Sequence, residues 1–324
     1  MKNSSKIALH LFIIQCFWAL QSEPQKQITT IYCHGVGDKG SQINDYQGLV
    51  MQPCKAVEFP DAQIPKGFNS NTFVYHLCEK VWNKKHINRQ NMFMGQGKDI
   101  ETIKQEINPD QDYILFGLCR GGAAIINYMA LYNPTNICAL VLDEVPANMF
   151  DIVEKIMFMD KQGQKIRSSP IQLERWFRWC FPVYPKGSKN TIDTIPNMKN
   201  KDLPIFMSYA MKDTTFHFPS SAWKNYIALK KAGFKNVYLC QLQDHGQNAQ
   251  GHDKKVYLES LHSFYKKFNL PYNPEYAILS DEALLKLQPS LAEITKLLDN
   301  YIEKITPTRK AVAIKYATTT RKRS

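Results

Sequence analysis

The chain has 324 residues, of which 44% are hydrophobic and 22% charged, ordinary proportions for a globular protein. Disorder throughout, a collagen and a coiled-coil rod are excluded. Eight cysteines are too sparse for a disulfide miniprotein, and no interior run approaches the roughly 18 apolar residues that a membrane span needs. The net charge of +12, from 41 Lys and Arg against 29 Asp and Glu, is concentrated at the C-terminal end.

Lys2 and Lys6 precede residues 7–20, which are apolar except for His10 and Gln15, and Ala19-Leu20-Gln21-Ser22 offers a cleavage site. This pattern predicts a signal peptide over 1–22 and export, periplasmic or secreted, with an uncleaved anchor as the alternative. Beyond it stand Cys33, Cys54, Cys78, Cys119, Cys138, Cys180 and Cys240. An odd number implies at least one free thiol. Residues 29–33 predict a short strand ending at His34-Gly35, and 56–59 a second one stopped by Pro60. Ile100, Ile103 and Ile107 predict a helix over 99–107. A buried strand over 112–116 runs straight into Gly117-Leu118-Cys119-Arg120-Gly121-Gly122, and a helix follows over 123–132 before Asn133-Pro134.

Strands are then predicted over 137–142, 204–209 and 237–242, with helices over 222–231 and 254–268. Cys33, Cys138 and Cys240 fall inside these strands and read as small core residues. The alternation of strand and helix, with strands apolar on both faces, predicts an α/β fold with a mostly parallel sheet. The aromatic-rich segment 147–201 is too long for a plain connection and reads as a lid insertion. Residues 271–305 form a helical extension with its own apolar leucines and isoleucines. A basic tail over 306–324 holds Arg309, Lys310, Lys315, Arg321, Lys322 and Arg323 and no acid. Such a tail suits weak contact with anionic surfaces; no nucleic-acid module surrounds any basic run, so no specific nucleic acid is expected.

The segment 117–122 carries the chemistry. A G-x-nucleophile-x-G run between a strand and a helix is the pattern of a nucleophile elbow: the turn is too tight for flanking side chains, so Gly117 and Gly121 stand beside Cys119. The helix start offers backbone N–H groups and partial positive charge, which favour a thiolate. Here the chain resembles the α/β-hydrolase family over residues 29–270. His34-Gly35 is similar to the start of that family's oxyanion loop. Asp213 follows one predicted strand and His245 the next, so nucleophile, acid and histidine come in the family's chain order. The resemblance is to dienelactone hydrolases at the cysteine nucleophile, and to depalmitoylase-like serine hydrolases elsewhere. It implies a triad of Cys119, His245 and Asp213, with backbone N–H groups of Val36 and Arg120 as the oxyanion hole. The substrate would be a small molecule or an acyl chain, an ester, lactone or thioester, and no cofactor is implied.

Each assignment has a competitor. Asp143 ends the preceding strand and is a second candidate for the acid. His252, at the start of the last helix, competes with His245. His34 suits a structural role in its loop. Gly35-Val36-Gly37-Asp38-Lys39-Gly40, with Glu58 farther on, also matches a dinucleotide-binding fingerprint, although residues 42–49 make a poor helix to follow it. A catalytically inactive hydrolase fold acting as a binding module is the alternative to an enzyme.

Overall fold

The computed structural model describes residues 27–35, 40–46, 48–60, 93–150, 170–212, 219–244 and 251–305. The expected signal peptide, the basic tail, Val36, Asp213, His245 and residues 151–169 of the expected lid lie outside these.

Among the described residues six strands make one sheet: β1 (Ile28–Cys33), β2 (Cys54–Val57), β3 (Asp112–Leu118), β4 (Ile137–Asp143), β5 (Ile205–Ala210) and β6 (Val237–Leu242). Their order is β2-β1-β3-β4-β5-β6, and every neighbouring pair is parallel. The sequence explains this. All six residues of β5 are buried, as are all of β3 except Asp112, so these strands need cover on both faces. Parallel neighbours also need crossovers, which helices supply.

Those helices are α1 (Lys98–Glu106), α2 (Arg120–Tyr132), α3 (Pro170–Cys180), α4 (Thr191–Thr194), α5 (Pro219–Lys231), α6 (His252–Lys267), α7 (Asp281–Leu285) and α8 (Leu291–Ile305). One face of the sheet packs against Ile100 and Ile103 of α1, the alanines and isoleucines of α2, and Trp223, Tyr226 and Leu229 of α5. The other packs against Tyr257, Leu261, Phe264 and Tyr265 of α6 and Leu284 of α7. Leu140 and Leu142 of β4 face the first group while Ala139 and Val141 face the second, the period-two alternation of a strand covered on both sides. A parallel sheet sandwiched between helices, with a one-residue turn between β3 and α2, is the α/β-hydrolase fold. Among the described residues no helix is long and apolar enough to cross a membrane.

Element ends differ from expectation in an instructive way. The sequence pattern starts the helix after the elbow at residue 123, because Gly121 and Gly122 are poor helix residues; α2 starts at Arg120 and holds both in its first turn. The segment after the first Gly-rich stretch forms a 3-10 helix, Gly40–Tyr46. The C-terminal helices lie on the body. Ile294 of α8 is 2% exposed in the α5-side core, and Tyr301 meets Trp223 edge-on at 5.7 Å. The Leu239 N–H on edge strand β6 donates to the Leu287 carbonyl at 2.7 Å.

Successive strands β1 and β2 lie on one side, and the chain then returns to place β3 on the other side of β1. Such a switch point leaves a crevice outside the carboxyl ends of the flanking strands, where ligands of open α/β sheets bind. Cys33 at the end of β1 pairs with Gly117 of β3, so His34-Gly35 and Cys119 emerge side by side at that crevice.

Candidate active site

Cys119 is the single residue between β3 and α2. Its backbone is at φ 49° and ψ −111°, a conformation that costs a non-glycine residue about 1–3 kcal/mol and is found at functional sites. Its backbone is bonded on both sides: its N–H donates to the Asp143 carbonyl at 2.8 Å, and its carbonyl accepts the Ala123 N–H at 3.1 Å. The neighbouring glycines are required by space. A Cβ on Gly121 would lie 2.0 Å from the Cys33 carbonyl oxygen, one on Gly117 would lie 2.5 Å from the Gly122 Cα, and one on Gly122 would lie 2.1 Å from Val145. The elbow is thus wedged between β1 and the chain after β4. Cys119 is buried but 7% exposed, whereas Cys33 and Cys240 are at 0% and 1%. Burial pushes the Cys240 thiol up to about 12 and the Cys33 thiol further still, so neither serves as a thiolate near neutral pH.

Arg120, the residue after Cys119, is fully buried. Its Nε and Nη2 donate to the two carboxylate oxygens of Asp99 at 2.7 and 2.6 Å, and both side chains are 0% exposed. Asp99, in the first turn of α1, also accepts the Gly95 N–H at 2.7 Å. Phe59 lies against the guanidinium at 4.8 Å. The sequence reading gave Arg120 a backbone role alone and missed this pair. The available signal was a lone charge inside the apolar run Leu118–Ile126, which burial can accommodate only with a partner.

His34 makes two hydrogen bonds. Its Nδ1 lies 2.8 Å from the Gly35 carbonyl, and its Nε2 accepts the Phe59 N–H at 3.2 Å. A carbonyl cannot donate and an N–H cannot accept, so the ring is neutral with its proton on Nδ1. Burial, opposed by the Gly35 bond and aided by the Arg120 charge, lowers its pKa to about 4. Glu58 stands 3.9 Å from Nε2, but a neutral ring makes this no ion pair. Glu58 instead accepts the Gly40 N–H at 2.8 Å. The residue that a dinucleotide fingerprint would aim at a ribose here holds the chain after the loop.

Asp143 ends β4 and is 0% exposed. Its Oδ1 accepts the Ser208 hydroxyl at 2.5 Å, and the Ser208 Oγ lies 3.1 Å from the Tyr257 hydroxyl. Asp143, Tyr257 and Glu144 all act electrostatically on Tyr46, whose pKa burial raises well above its ordinary value. A polar cluster therefore sits on the α6 side of the sheet, directly beside the elbow. Its members Ser208, Tyr46 and Tyr257 carry no motif that sequence reading could have used.

The chain runs side by side just past β5 and β6. Past the ends of β5 and β6, the Met211 N–H donates to the Leu242 carbonyl and the Lys212 N–H to the Gln243 carbonyl, each at 2.9 Å. Asp253, in the first turn of α6, accepts the N–H groups of Gln243 and Asp244 at 3.1 and 2.9 Å. His252 is solvent-exposed at the start of α6. Among the described residues, no group of three or more His, Cys, Asp or Glu is arranged to hold a metal ion.

No family model matches the chain, and no curated protein matches it. Among solved structures it is similar to the Pyrococcus furiosus esterase Pf2001, at 14% identity over 75% of this chain and 84% of that one, with a TM-score of 0.45. It is also similar to MenH from S. aureus, at 12% identity over 76% and 96% with a TM-score of 0.41. A third likeness is to Arabidopsis thaliana SOBER1, at 14% over 75% and 99% with a TM-score of 0.37.

Proposed function

We propose that this chain hydrolyses a carboxylic ester, lactone or thioester through Cys119, with His245 as general base and Asp213 as the residue that orients it. The observation that carries the reading is the cysteine's setting: a strained, positive-φ backbone at the strand-to-helix turn beside the sheet's switch point, with no room for a side chain at Gly117, Gly121 or Gly122. A buried structural thiol needs none of this.

In this mechanism His245 takes the Cys119 proton, and the thiolate sulfur attacks the acyl carbon. The carbonyl π electrons move onto oxygen, and the backbone N–H groups of Arg120 and Val36 receive that oxyanion. Each such donor is worth about 3–4 kcal/mol of barrier. Collapse expels the alcohol or thiol, which takes the proton from His245, and leaves an acyl-thioester on Cys119. Water, deprotonated by His245, then attacks the acyl carbon; the sulfur leaves, regains its proton and the carboxylic acid departs. Asp213 stabilises the imidazolium in both halves.

The test is steady-state hydrolysis of short- and long-chain nitrophenyl esters and acyl thioesters by the reduced full-length protein and its Cys119→Ala variant. Turnover that disappears with the thiol supports the assignment. Turnover that survives unchanged, or none by folded, reduced protein, overturns it, and the second result leaves a binding module as the surviving reading.

A further inference from the structure

We propose that Asp99, acting through the side chain of Arg120, is a positioning residue for the oxyanion hole, an inference that rests on the hydrolase reading above. Arg120 opens α2, so its backbone N–H belongs to the first turn, whose donors point out of the helix end. The direction of that N–H depends on how the first turn is held. The guanidinium is a planar fork, and two bonds of 2.7 and 2.6 Å to one carboxylate fix its orientation as a single point charge would not. Asp99 is itself held by the Gly95 N–H, and the Gly95 carbonyl accepts the Asn127 side chain of α2 at 2.9 Å. The anchor therefore returns to the helix it orients.

The same pair reaches the end of β1. Phe59 packs on the guanidinium at 4.8 Å and on the His34 ring at 4.8 Å, and its N–H donates to His34. Asp99, Arg120, Phe59 and His34 thus form one buried chain of contacts joining the start of α2 to the end of β1. A fully buried ion pair is weak evidence for stability, since apolar residues of similar volume often fold as well. Fixing an orientation is what an apolar pair could not do.

The experiment compares the unchanged protein with Asp99→Leu/Arg120→Met, in which neither charge is left unpaired, and with Arg120→Lys, which keeps the charge and loses the fork. Rates are referred to folded protein by circular dichroism and thiol titration. The expected result is a fall in kcat of about tenfold to a hundredfold with KM within about twofold in both variants. Affinity for the aldehyde matching the best acyl group should fall by the same factor. In that probe the sulfur adds to the aldehyde carbon, the thiol proton passes to the oxygen, and the hemithioacetal occupies the hole. Affinity for the matching carboxylate product should stay unchanged. Should the double variant not fold, Arg120→Lys and Phe59→Leu carry the comparison. Cys119-dependent turnover with kcat unchanged in the variants, or reduced only through KM, overturns this inference alone. Absence of Cys119-dependent turnover in the unchanged protein overturns it together with the hydrolase reading.

Discussion

The backbone N–H of Cys119 is bonded to the carbonyl of Asp143 at 2.8 Å, so the elbow's strained turn is an extension of the β3–β4 ladder, in which Leu118 pairs with Asp143. The nucleophile's position is set by the last residue of the neighbouring strand. Changes at the end of β4 or at the glycines around the turn should therefore reach Cys119 without touching its side chain.

Gly121→Ala is the sharpest of these. The added methyl would sit 2.0 Å from the Cys33 carbonyl oxygen and 2.8 Å from that of His34, and neither is the end of a flexible side chain. We expect a loss of about 1–3 kcal/mol in urea denaturation, towards the upper end of overpacking costs. We also expect a rate loss beyond the unfolded fraction, because α2 must move away from β1. A variant as stable and as active as the unchanged protein would show that the helix start is not wedged.

Ser208→Ala removes a hydroxyl donor to the buried Asp143 carboxylate. Depriving a buried acceptor of a donor costs about 1–3 kcal/mol, and the loss should appear in chemical denaturation at neutral pH. If Asp143, and not Asp213, orients the base, Asp143→Asn should abolish turnover while Asp213→Asn spares it. The opposite pattern is expected.

His34 gives a pH signature. Its folded pKa, about 4, lies below the ordinary value of 6.5, so between those values the unfolded chain binds a proton that the folded chain refuses. Stability is thus unaffected by this group above about pH 6.5, falls as pH drops towards 4, and levels off below; the cumulative loss is about 3 kcal/mol. Histidine NMR should find one ring that keeps its proton on Nδ1 and stays neutral at pH 5. A His34 resonance that titrates near 6.5 would contradict the hydrogen bonds to Gly35 and Phe59.

Ile294→Ala should cost about 2–5 kcal/mol, as a large-to-small change at a buried site, with kcat per folded molecule unchanged. Ile294 is 2% exposed against the α5-side core, far along the chain from the elbow. A cost below about 0.5 kcal/mol would mean that α8 is a loosely held appendage.

Much of the fold was legible because it depends on local pattern. The continuous apolar runs at 137–142 and 204–209 could only be strands covered on both faces, and the β3–elbow–α2 unit announces itself in eleven residues of chain. Helix starts were less legible, as Arg120 opens a helix ahead of its apolar stripe. The site divides the same way. Cys119 and its glycines occupy a contiguous motif, whereas Asp99 reaches Arg120 across a whole strand, and His34 shows its role only through a bond to Phe59 on another strand's end. A single sequence shows that a buried arginine needs a carboxylate but not which one.

The bond from Leu239 to Leu287 has a consequence for biosynthesis. Edge strand β6 leaves the ribosome well before the segment that covers it, and at about 5–20 residues per second the intervening chain takes seconds to appear. During that interval the outer side of β6 lacks this partner, and an uncovered strand edge is the kind of surface that recruits a neighbouring chain. The newborn protein should therefore depend most on chaperones late in synthesis, and chains arrested or cut shortly after α6 should be lost to aggregation more readily than shorter fragments that never complete the sheet.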